Sequence, residues 1–373
     1  MTSCPNCGAR IDESAGLCPE CRQVRLRPEP WRGTGVSSAT PVIRSRIPEL
    51  EGAWLKVEGA NPSGSFKERV MSVLVGEAVA SGASGAVVAS SGNAAVAAAS
   101  ACARAGLPLL VLVPRTVPEQ ILRMVALRGA SVVQVGDGPA AVHGLAKRLA
   151  TAFKLPNLAS TFAASGCEWA CRGIGAEIAV QLPDIAVRTL AAAVSVGPVL
   201  LGAANGLAEA GRDMPRMVAG QAAGCGPIAE AFARGEADVA EWSAPVTTKA
   251  TSIADRLSGY ADEGTYFLDT VRAGGGAVLA AADDRLHELR SALARYDGLD
   301  VELSSCAAPA ALIASGHAGP DAVCVLTGAG LKETLRPDVT VTDHADALGD
   351  FCRAALGDET IVEEVESWIS EYR

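Results

Sequence analysis

Four cysteines near the start of the chain have the spacing of a metal site. Cys4 and Cys7 form one CxxC pair, Cys18 and Cys21 form another, and ten residues separate the pairs. Four thiolates brought together in this way suit tetrahedral Zn²⁺. Four protein ligands leave the metal no open position, so we expect a structural zinc ribbon over residues 1–25. The ribbon either caps the protein or docks a protein partner, and the residues favour neither.

One of the six lysines stands in a loop that can present its amine to a pocket. Lys67 follows the turn-rich segment Asn61-Pro-Ser-Gly-Ser-Phe and precedes a helix predicted over residues 68–80. The backbone at such a junction holds the side chain, while its tip can reach a ligand. We therefore predict that Lys67 is the reactive amine of this chain.

Two further turn segments carry polar groups. Ser90-Ser91-Gly92-Asn93 follows a predicted strand and opens an alanine-rich helix that ends near Ala105. Backbone N–H groups at the start of such a helix can hold a carboxylate. Thr327-Gly-Ala-Gly-Leu-Lys332 follows a second apolar run, Val323-Cys-Val-Leu. Both segments are weak signals by themselves.

The elements that position these segments alternate between strands and helices. Predicted strands cover residues 86–90, 107–113, 131–135, 189–196 and 323–326, and helices follow several of them. This order predicts an α/β fold with parallel sheets and helices on both faces. Ligands in such folds bind beyond the carboxyl ends of the strands, which is where the polar turns lie.

Together the three segments resemble a known family. Asn61-Pro-Ser-Gly-Ser-Phe-Lys67-Glu-Arg resembles the lysine motif of threonine synthases and their fold-type II relatives, the tryptophan synthase beta superfamily. The segment Thr327–Lys332 is similar to the family's TG-x-G-LK segment, and the likeness spans residues 45–335.

The resemblance implies a domain organisation. It comprises two parallel or mixed three-layer α/β domains beside the zinc ribbon. Residues 26–80 and 156–373 would form the large domain, which binds pyridoxal 5′-phosphate, and residues 81–155 a small mobile domain.

The resemblance also implies roles for the polar residues. Lys67 would hold the cofactor and remove the Cα proton of the substrate. Asn93 would hydrogen-bond the phenolic oxygen of the cofactor, and Thr327 would face its pyridine nitrogen. The loop residues Ser90, Ser91 and Gly92 would grip the substrate carboxylate. A neutral hydroxyl at the ring nitrogen gives a weaker electron sink, which favours expulsion of a leaving group.

The expected phosphate loop departs from the family pattern, which is rich in Gly, Asn or Thr. Here the segment reads Val196-Gly197-Pro198-Val199-Leu200-Leu-Gly202. We expect the phosphate to lie at the helix N-terminus on the amides of Val199 and Leu200, beside Gly197 and Gly202. Because the loop is apolar, the affinity for the cofactor is expected to be lowered.

A second departure concerns the leaving group. Arg172 and Gly173 stand where the resembled family carries Lys and Thr. An arginine fork binds phosphate well, so we expect Arg172 to bind an anionic leaving group. Arg69 and Lys249 are other candidates, and an ordinary salt bridge is the alternative role for each of the three.

Three functions remain open from the sequence. The first is threonine synthesis from O-phosphohomoserine. The second is a diverged β-replacement on O-phosphoserine or a similar substrate, of the cysteate or diaminopropionate synthase type. The third is an inactive scaffold that binds a protein partner through the zinc ribbon.

Composition excludes other classes of function. The formal charge of −10 argues against a nucleic-acid surface. No apolar run is long enough to suggest a membrane helix, and the N-terminus lacks the pattern of a secretory signal. We therefore expect a cytoplasmic enzyme that acts on a small amino acid, with a homodimer as the default assembly.

Overall fold

The structure, a computed structural model, describes most of the chain. The described residues are 2–3, 10–11, 39–136, 139–158, 161–162, 166–331, 344–358 and 361–371. Contacts divide the chain into two compact units, Met1–Arg32 and Gly33–Arg373. In the first unit, strand β1 (Thr2–Ser3) pairs antiparallel with β2 (Arg10–Ile11). The predicted zinc ligands Cys4, Cys7, Cys18 and Cys21 lie outside the described residues, as does Lys332.

The second unit contains a six-stranded sheet in the order β10-β9-β8-β11-β4-β3. Its strands are β3 (Val42–Arg44), β4 (Trp54–Val57), β8 (Thr189–Ala193), β9 (Arg216–Ala222), β10 (Ala277–Ala281) and β11 (Ala322–Leu326). All neighbours are parallel except β3, which runs antiparallel to β4. The central strands β8 and β11 are buried along their whole length, as expected for parallel strands covered on both faces.

A separate three-stranded parallel sheet has the order β5-β6-β7. It consists of β5 (Ala86–Ala89), β6 (Leu109–Val113) and β7 (Ser131–Gln134). These strands fall within the segment predicted as a small mobile domain, residues 81–155. Both sheets nevertheless belong to the one compact unit, so the mobility of that segment stays a prediction.

Helices connect the strands and cover the sheets. They are α1 (Lys67–Ala80), α2 (Asn93–Ala105), α3 (Glu119–Ala126), α4 (Pro139–Phe153), α5 (Gly166–Gln181), α6 (Pro198–Glu209), α7 (Pro227–Arg234), α8 (Ala261–Ala273), α9 (Asp283–Ala292), α10 (Ala307–Ala314), α11 (His344–Phe351) and α12 (Ile361–Ser370). The predicted α/β class is confirmed. Within the described ranges, no helix is both long and apolar enough to cross a bilayer.

Helices α5 and α6 pack with their backbones in direct contact. A Cβ atom at Gly202 would lie 2.3 Å from the carbonyl oxygen of Glu168, and one at Gly206 would lie 2.0 Å from that of Arg172. No real Cβ tolerates such distances, so only glycine fits at either position. The packing of two helices therefore accounts for Gly202 without a role in cofactor binding.

Candidate functional site

The carboxyl ends of the parallel strands place two of the predicted segments on one edge of the large sheet. Leu326, the last residue of β11, pairs with Val57 at the end of β4, and β11 also pairs with β8. Thr327 follows β11, and Gly197 follows β8 before α6 begins. Both segments therefore lie where α/β folds bind their ligands.

Backbone hydrogen bonds join the lysine loop to the segment after β11. The Phe66 amide donates to the Thr327 carbonyl at 3.0 Å, and the Ala329 amide donates to the Gly64 carbonyl at 2.9 Å. An isolated antiparallel bridge pairs Ser65 with Gly328. Two motifs about 260 residues apart in sequence thus meet in space.

Lys67 begins α1 in a desolvated environment. The residue is half-buried, and its Nζ lies 4.8 Å from the centroid of the Phe66 ring. Burial lowers the pKa of the Lys67 amine below its ordinary value, and the nearby Cys167 and Glu302 only partly offset this effect. A lowered pKa raises the fraction of neutral amine, the form that acts as nucleophile or base.

The same burial keeps the neighbouring thiols protonated. Cys167 and Cys171 stand one turn apart on α5, and both are buried. Burial raises the pKa of Cys167 to about 12 although the Lys67 charge opposes the rise. Neither thiol is therefore a competing nucleophile at neutral pH.

Asn93 is held at the site by a carboxylate that the sequence analysis did not single out. Its Nδ2 donates to Glu302 Oε2 at 2.8 Å and to Oε1 at 3.0 Å. The Glu302 side chain lies in turn against Gly328, where a Cβ would come within 2.5 Å of the carboxylate. The Glu302 amide also donates to the Gly328 carbonyl at 3.1 Å. Glu302 therefore brings the first residue of α2 next to the segment that follows β11.

Thr327 forms a neutral hydroxyl pair with Ser305. Its Oγ1 lies 2.9 Å from Ser305 Oγ, and either oxygen can donate. Ser305 Oγ also accepts the Gly328 amide at 2.9 Å, which fixes this serine against the segment. Thr327 is only 3% exposed. The direct partner of the Thr327 hydroxyl, at the place predicted for a pyridine nitrogen, is therefore another hydroxyl.

The Ser90–Asn93 loop is the more open part of the site. Ser90 Oγ accepts the Gly92 amide at 3.3 Å, Ser91 is exposed, and Gly92 caps α2 with an extended backbone. An exposed loop at a helix N-terminus is accessible to a substrate carboxylate. The role of Ser90, Ser91 and Gly92 stays a prediction.

Arg69 lies in a buried ion network rather than in the site. Its Nε donates to Glu58 Oε2 at 2.7 Å, and its Nη1 donates to Glu177 Oε1 at 2.6 Å. Lys56, fully buried, also donates to Glu177 at 2.6 Å. This network joins the end of β4, α1 and α5. Arg69 therefore anchors the helix that begins with Lys67, and it is not positioned as a free anion holder.

Arg172 is likewise held by carboxylates. Its guanidinium donates to Glu168 at 2.9 to 3.1 Å and to Glu209, and Asn205 completes the contact by donating to Glu168 Oε1 at 2.8 Å. The Arg172 side chain is 7% exposed. Since its donors are engaged, the contacts favour a structural role over the predicted binding of a leaving group. Lys249, the remaining candidate, is exposed.

The start of α6 was predicted to hold a phosphate. Gly197 caps the helix at φ 122°, a conformation that favours glycine, and Pro198 is its first residue. The Leu200 amide, expected to bind the phosphate, donates instead to the Gly197 carbonyl at 3.1 Å. Val199 and Leu200 are both buried. Leu200 therefore cannot offer its amide while this turn is intact.

The donor set fits the ring end of a pyridoxal-type cofactor. A desolvated amine, the Asn93 amide and the Thr327 hydroxyl suit an aldehyde, a phenolic oxygen and a ring nitrogen respectively. At the start of α6, Pro198 has no N–H, and the amides of Leu200 and Leu201 donate to the Gly197 carbonyl. Among the described residues, no group of three or more His, Cys, Asp or Glu side chains is arranged to hold a metal ion.

Comparisons with known proteins agree with this geometry. The sequence profile of the family described as "Pyridoxal-phosphate dependent enzyme" matches residues 34–328. Threonine synthase of Methanocaldococcus jannaschii is 31% identical, over 84% of this chain and 79% of that protein. Threonine synthase of Mycobacterium leprae is 29% identical, over 83% of this chain and 85% of that protein. Among solved structures, maize serine racemase superposes with a TM-score of 0.68 at 20% identity, covering 79% of this chain and 88% of that one.

Proposed function

Because this chain belongs to the family of pyridoxal-phosphate-dependent enzymes, we propose that it eliminates or replaces an anionic leaving group on an amino acid. The observation that carries the proposal is that the Lys67 loop and the Thr327 segment are joined by backbone hydrogen bonds, and that Glu302 links Asn93, from the other sheet, to that segment. A scaffold without chemistry would have no need for a desolvated amine at this place.

Each residue has a task in such a reaction. When bound, the cofactor supplies an electron sink for bonds broken at the substrate Cα. The Lys67 amine would hold the cofactor through its aldehyde and would serve as the base for the substrate Cα proton. Its lowered pKa suits this use, since a neutral amine accepts protons. Asn93, whose amide donates to Glu302 in the structure, would be the residue to bind the phenolic oxygen, and the Thr327 hydroxyl the one to bind the ring nitrogen.

Threonine synthesis from O-phosphohomoserine is the first candidate reaction. Similarity to threonine synthases extends over about four-fifths of both chains at about 30% identity. Lys67, Asn93 and Thr327 stand at positions that match the motifs of that family. This candidate requires a site for the phosphate of the substrate.

Replacement at Cβ is the second candidate, and a specific observation favours it. Arg172 and Arg69, the arginines predicted to hold a leaving phosphate, are bound to carboxylates of the chain itself. A β-substituted substrate needs fewer positioned groups, since its leaving group departs in one elimination step. O-phosphoserine or O-acetylserine would then react with a nucleophile such as sulfite or ammonia.

A product assay separates the candidates. We expect the purified protein, supplied with pyridoxal phosphate, to release the leaving group from O-phosphohomoserine or from a β-substituted serine, and Lys67→Ala to abolish that release. Threonine as the product supports the first candidate, and cysteate or diaminopropionate supports the second. A folded protein that carries the cofactor on Lys67 but turns over none of these substrates would favour the inactive scaffold over both reactions.

The homodimer, the cytoplasmic location and the structural zinc stay predictions.

A further inference from the structure

The turn between β8 and α6 keeps several backbone donors. The N–H groups of Ser195, Val196, Gly197 and Val199 have no acceptor in the described part of the chain, and all of these residues except Ser195 are buried. Buried N–H groups are nearly always paired in native proteins. The group that this family binds carries a phosphate, which is an acceptor of the right charge for them. The conformation of this turn therefore decides how many donors the phosphate meets.

Gln221 fixes one peptide unit of that turn. It is the last residue but one of β9, its side chain is fully buried, and its Nε2 donates to the Ser195 carbonyl at 2.9 Å. In a trans peptide the C=O and the N–H of one unit point in opposite directions. The Ser195 carbonyl is held toward Gln221, so the Val196 N–H points away from Gln221 and stays available to a ligand.

The oxygen of the same side chain occupies the donors of a second helix. Gln221 Oε1 accepts the amides of Ile228 and Ala229, at 3.0 and 2.9 Å, in the first turn of α7. Helices α6 and α7 both begin with a proline, and each follows a strand of the large sheet. Of these two helix starts, Gln221 closes that of α7 and leaves that of α6 open to an anion.

The two contacts of Gln221 require an amide side chain. A carbonyl oxygen only accepts and an N–H group only donates, so the two ends of the Gln221 amide cannot exchange places. A carboxylate of the same size would still accept the α7 amides, but it has no donor for the Ser195 carbonyl. Replacement of this one residue by glutamate therefore separates its two contacts.

We propose that Gln221 is a positioning residue for the cofactor phosphate: its amide holds the Ser195–Val196 peptide so that the turn presents its N–H groups to the phosphate. The inference rests on the proposed function, since it assumes that pyridoxal phosphate is the ligand of Lys67. Gln221 acts through the Ser195 carbonyl and needs no contact of its own with the cofactor.

The test compares pyridoxal phosphate with 5′-deoxypyridoxal, which lacks the phosphate, in the wild type and in Gln221→Glu. The Lys67 amine displaces the aldehyde oxygen of either compound as water, and borohydride adds hydride to the carbon of the new C=N bond. The occupancy of the Lys67 peptide is then read by mass over a range of concentrations of each compound.

We expect Gln221→Glu to weaken the attachment of pyridoxal phosphate about tenfold or more, because the turn no longer holds its donors toward the phosphate. Attachment of 5′-deoxypyridoxal should change by less than about threefold, since this compound makes no use of the turn. A loss by the same factor for both compounds, or a loss for neither, would overturn the inference.

Gln181→Glu is the matched control. The Gln181 Nε2 also donates to a backbone carbonyl, that of Thr40 at 2.8 Å, and its Oε1 accepts from Lys56, but these contacts lie outside the turn. We expect this variant to keep the wild-type ratio of the two affinities. If it loses the preference for pyridoxal phosphate as fully as Gln221→Glu does, the effect does not come from the turn.

A neutral variant separates the missing donor from the added charge. Gln221→Met keeps the length of the side chain, removes its donor and brings no carboxylate, and it also serves if Gln221→Glu does not fold. We expect the same selective loss of pyridoxal phosphate. Selective loss in the glutamate variant alone would mean that its charge repels the phosphate, and would contradict the role of the Gln221 donor.

The outcomes distinguish this inference from the proposed function. Attachment of neither compound to Lys67 in the folded wild-type protein removes both. Attachment to Lys67 in the wild type, with an unchanged preference for pyridoxal phosphate in the Gln221 variants, removes only the inference and leaves the enzyme proposal intact.

Discussion

At the scale of single residues, Lys67 shows how a reactive group conflicts with stability. Its amine is desolvated at the start of a helix, and burial lowers its pKa. The same burial that prepares the amine as nucleophile disfavours the charged form in the folded protein. Functional sites commonly lower the stability of the folded protein in this way, and replacing the responsible residue then stabilises the fold.

We predict that Lys67→Met stabilises the cofactor-free protein at neutral pH. The folded pKa lies below the ordinary value of 10.5, so burying the proton-bearing amine costs free energy at every pH below the folded pKa. That cost declines as the pH rises and is absent above 10.5. Urea unfolding of both proteins at about pH 7 and about pH 10 measures the difference.

Lys249→Met, at an exposed position, is the control and should change little at either pH. The difference in unfolding free energy between Lys67→Met and the wild type should shrink at high pH. If it grows instead, the Lys67 pKa is not lowered.

At the scale of elements, ion networks hold α1, α5 and α6 in place. Arg69, two residues after Lys67, connects α1 to Glu58 after β4 and to Glu177 on α5. Arg172 connects α5 to Glu209 on α6. The lysine and the predicted phosphate turn are thus positioned by charges that stand outside the site. These arginines act on the chemistry through the helices that they fix.

Glu177→Gln should destabilise the protein by about 3 kcal/mol near neutral pH, because two buried cations lose their shared carboxylate. Burial alone would raise the pKa of Glu177, but hydrogen bonds and charge from Arg69 and Lys56 lower it below 4.5. The stabilisation is therefore present above pH 4.5 and is lost as the pH falls through the folded pKa. Denaturation at several pH values should show the wild type and the variant converging in acid.

Glu371→Gln breaks an exposed pair with Arg148 and serves as the control, with an expected change within about 0.5 kcal/mol. If the difference in unfolding free energy between Glu177→Gln and the wild type persists unchanged into strong acid, the Glu177 carboxylate was not charged in the native protein.

Arg172→Met should lower stability by about 3 to 5 kcal/mol, because it leaves the buried Glu168 carboxylate without its cation. The double variant Arg172→Met with Glu168→Gln should recover much of that loss, since no uncompensated charge remains. In the single variant Arg172→Met, the KM values for phosphorylated and acetylated substrates should change by the same factor. A selective rise of KM for the phosphorylated substrate would restore Arg172 as a substrate ligand.

At the scale of the whole molecule, the site belongs to a single compact unit. Every residue discussed above, from Lys56 to Thr327, lies in Gly33–Arg373. The loops from both sheets meet there through the contact of Asn93 with Glu302. The four-cysteine segment belongs to the other compact unit, Met1–Arg32.

Removal of residues 1–32 should therefore leave the fold and cofactor attachment intact. We expect a melting temperature within about 3 °C of the full chain, unchanged labelling of Lys67, and loss of bound zinc. Metal analysis of both proteins tests the ligand set Cys4, Cys7, Cys18 and Cys21. Zinc retained by the shortened chain would refute that assignment, and loss of turnover in a folded shortened chain would refute its purely structural role.

The sequence alone determined the α/β class, and it predicted the edge at which the site lies and the three residues proposed for its centre. These follow from local signals: apolar runs of strand length, Gly- and Ser-rich turns after them, and Lys67 at a turn-to-helix junction. The helix predicted over residues 68–80 begins one residue earlier in the structure, at Lys67, and ends as predicted at Ala80. Strands β9 and β10 and helices α7 to α10 were not predicted.

Only the tertiary structure decided which charged residues serve the site and which serve the fold. Arg172 and Arg69 have the chemistry of anion holders, but they lie against carboxylates that are distant in sequence or on other helices. Glu302 carries no local motif, yet it contacts Asn93, which precedes it by 209 residues. The role of a charged side chain depends on the groups that it contacts in the folded protein. In a parallel α/β fold, those groups come from strands and helices that are far apart along the chain. Spacing in the sequence therefore could not reveal them.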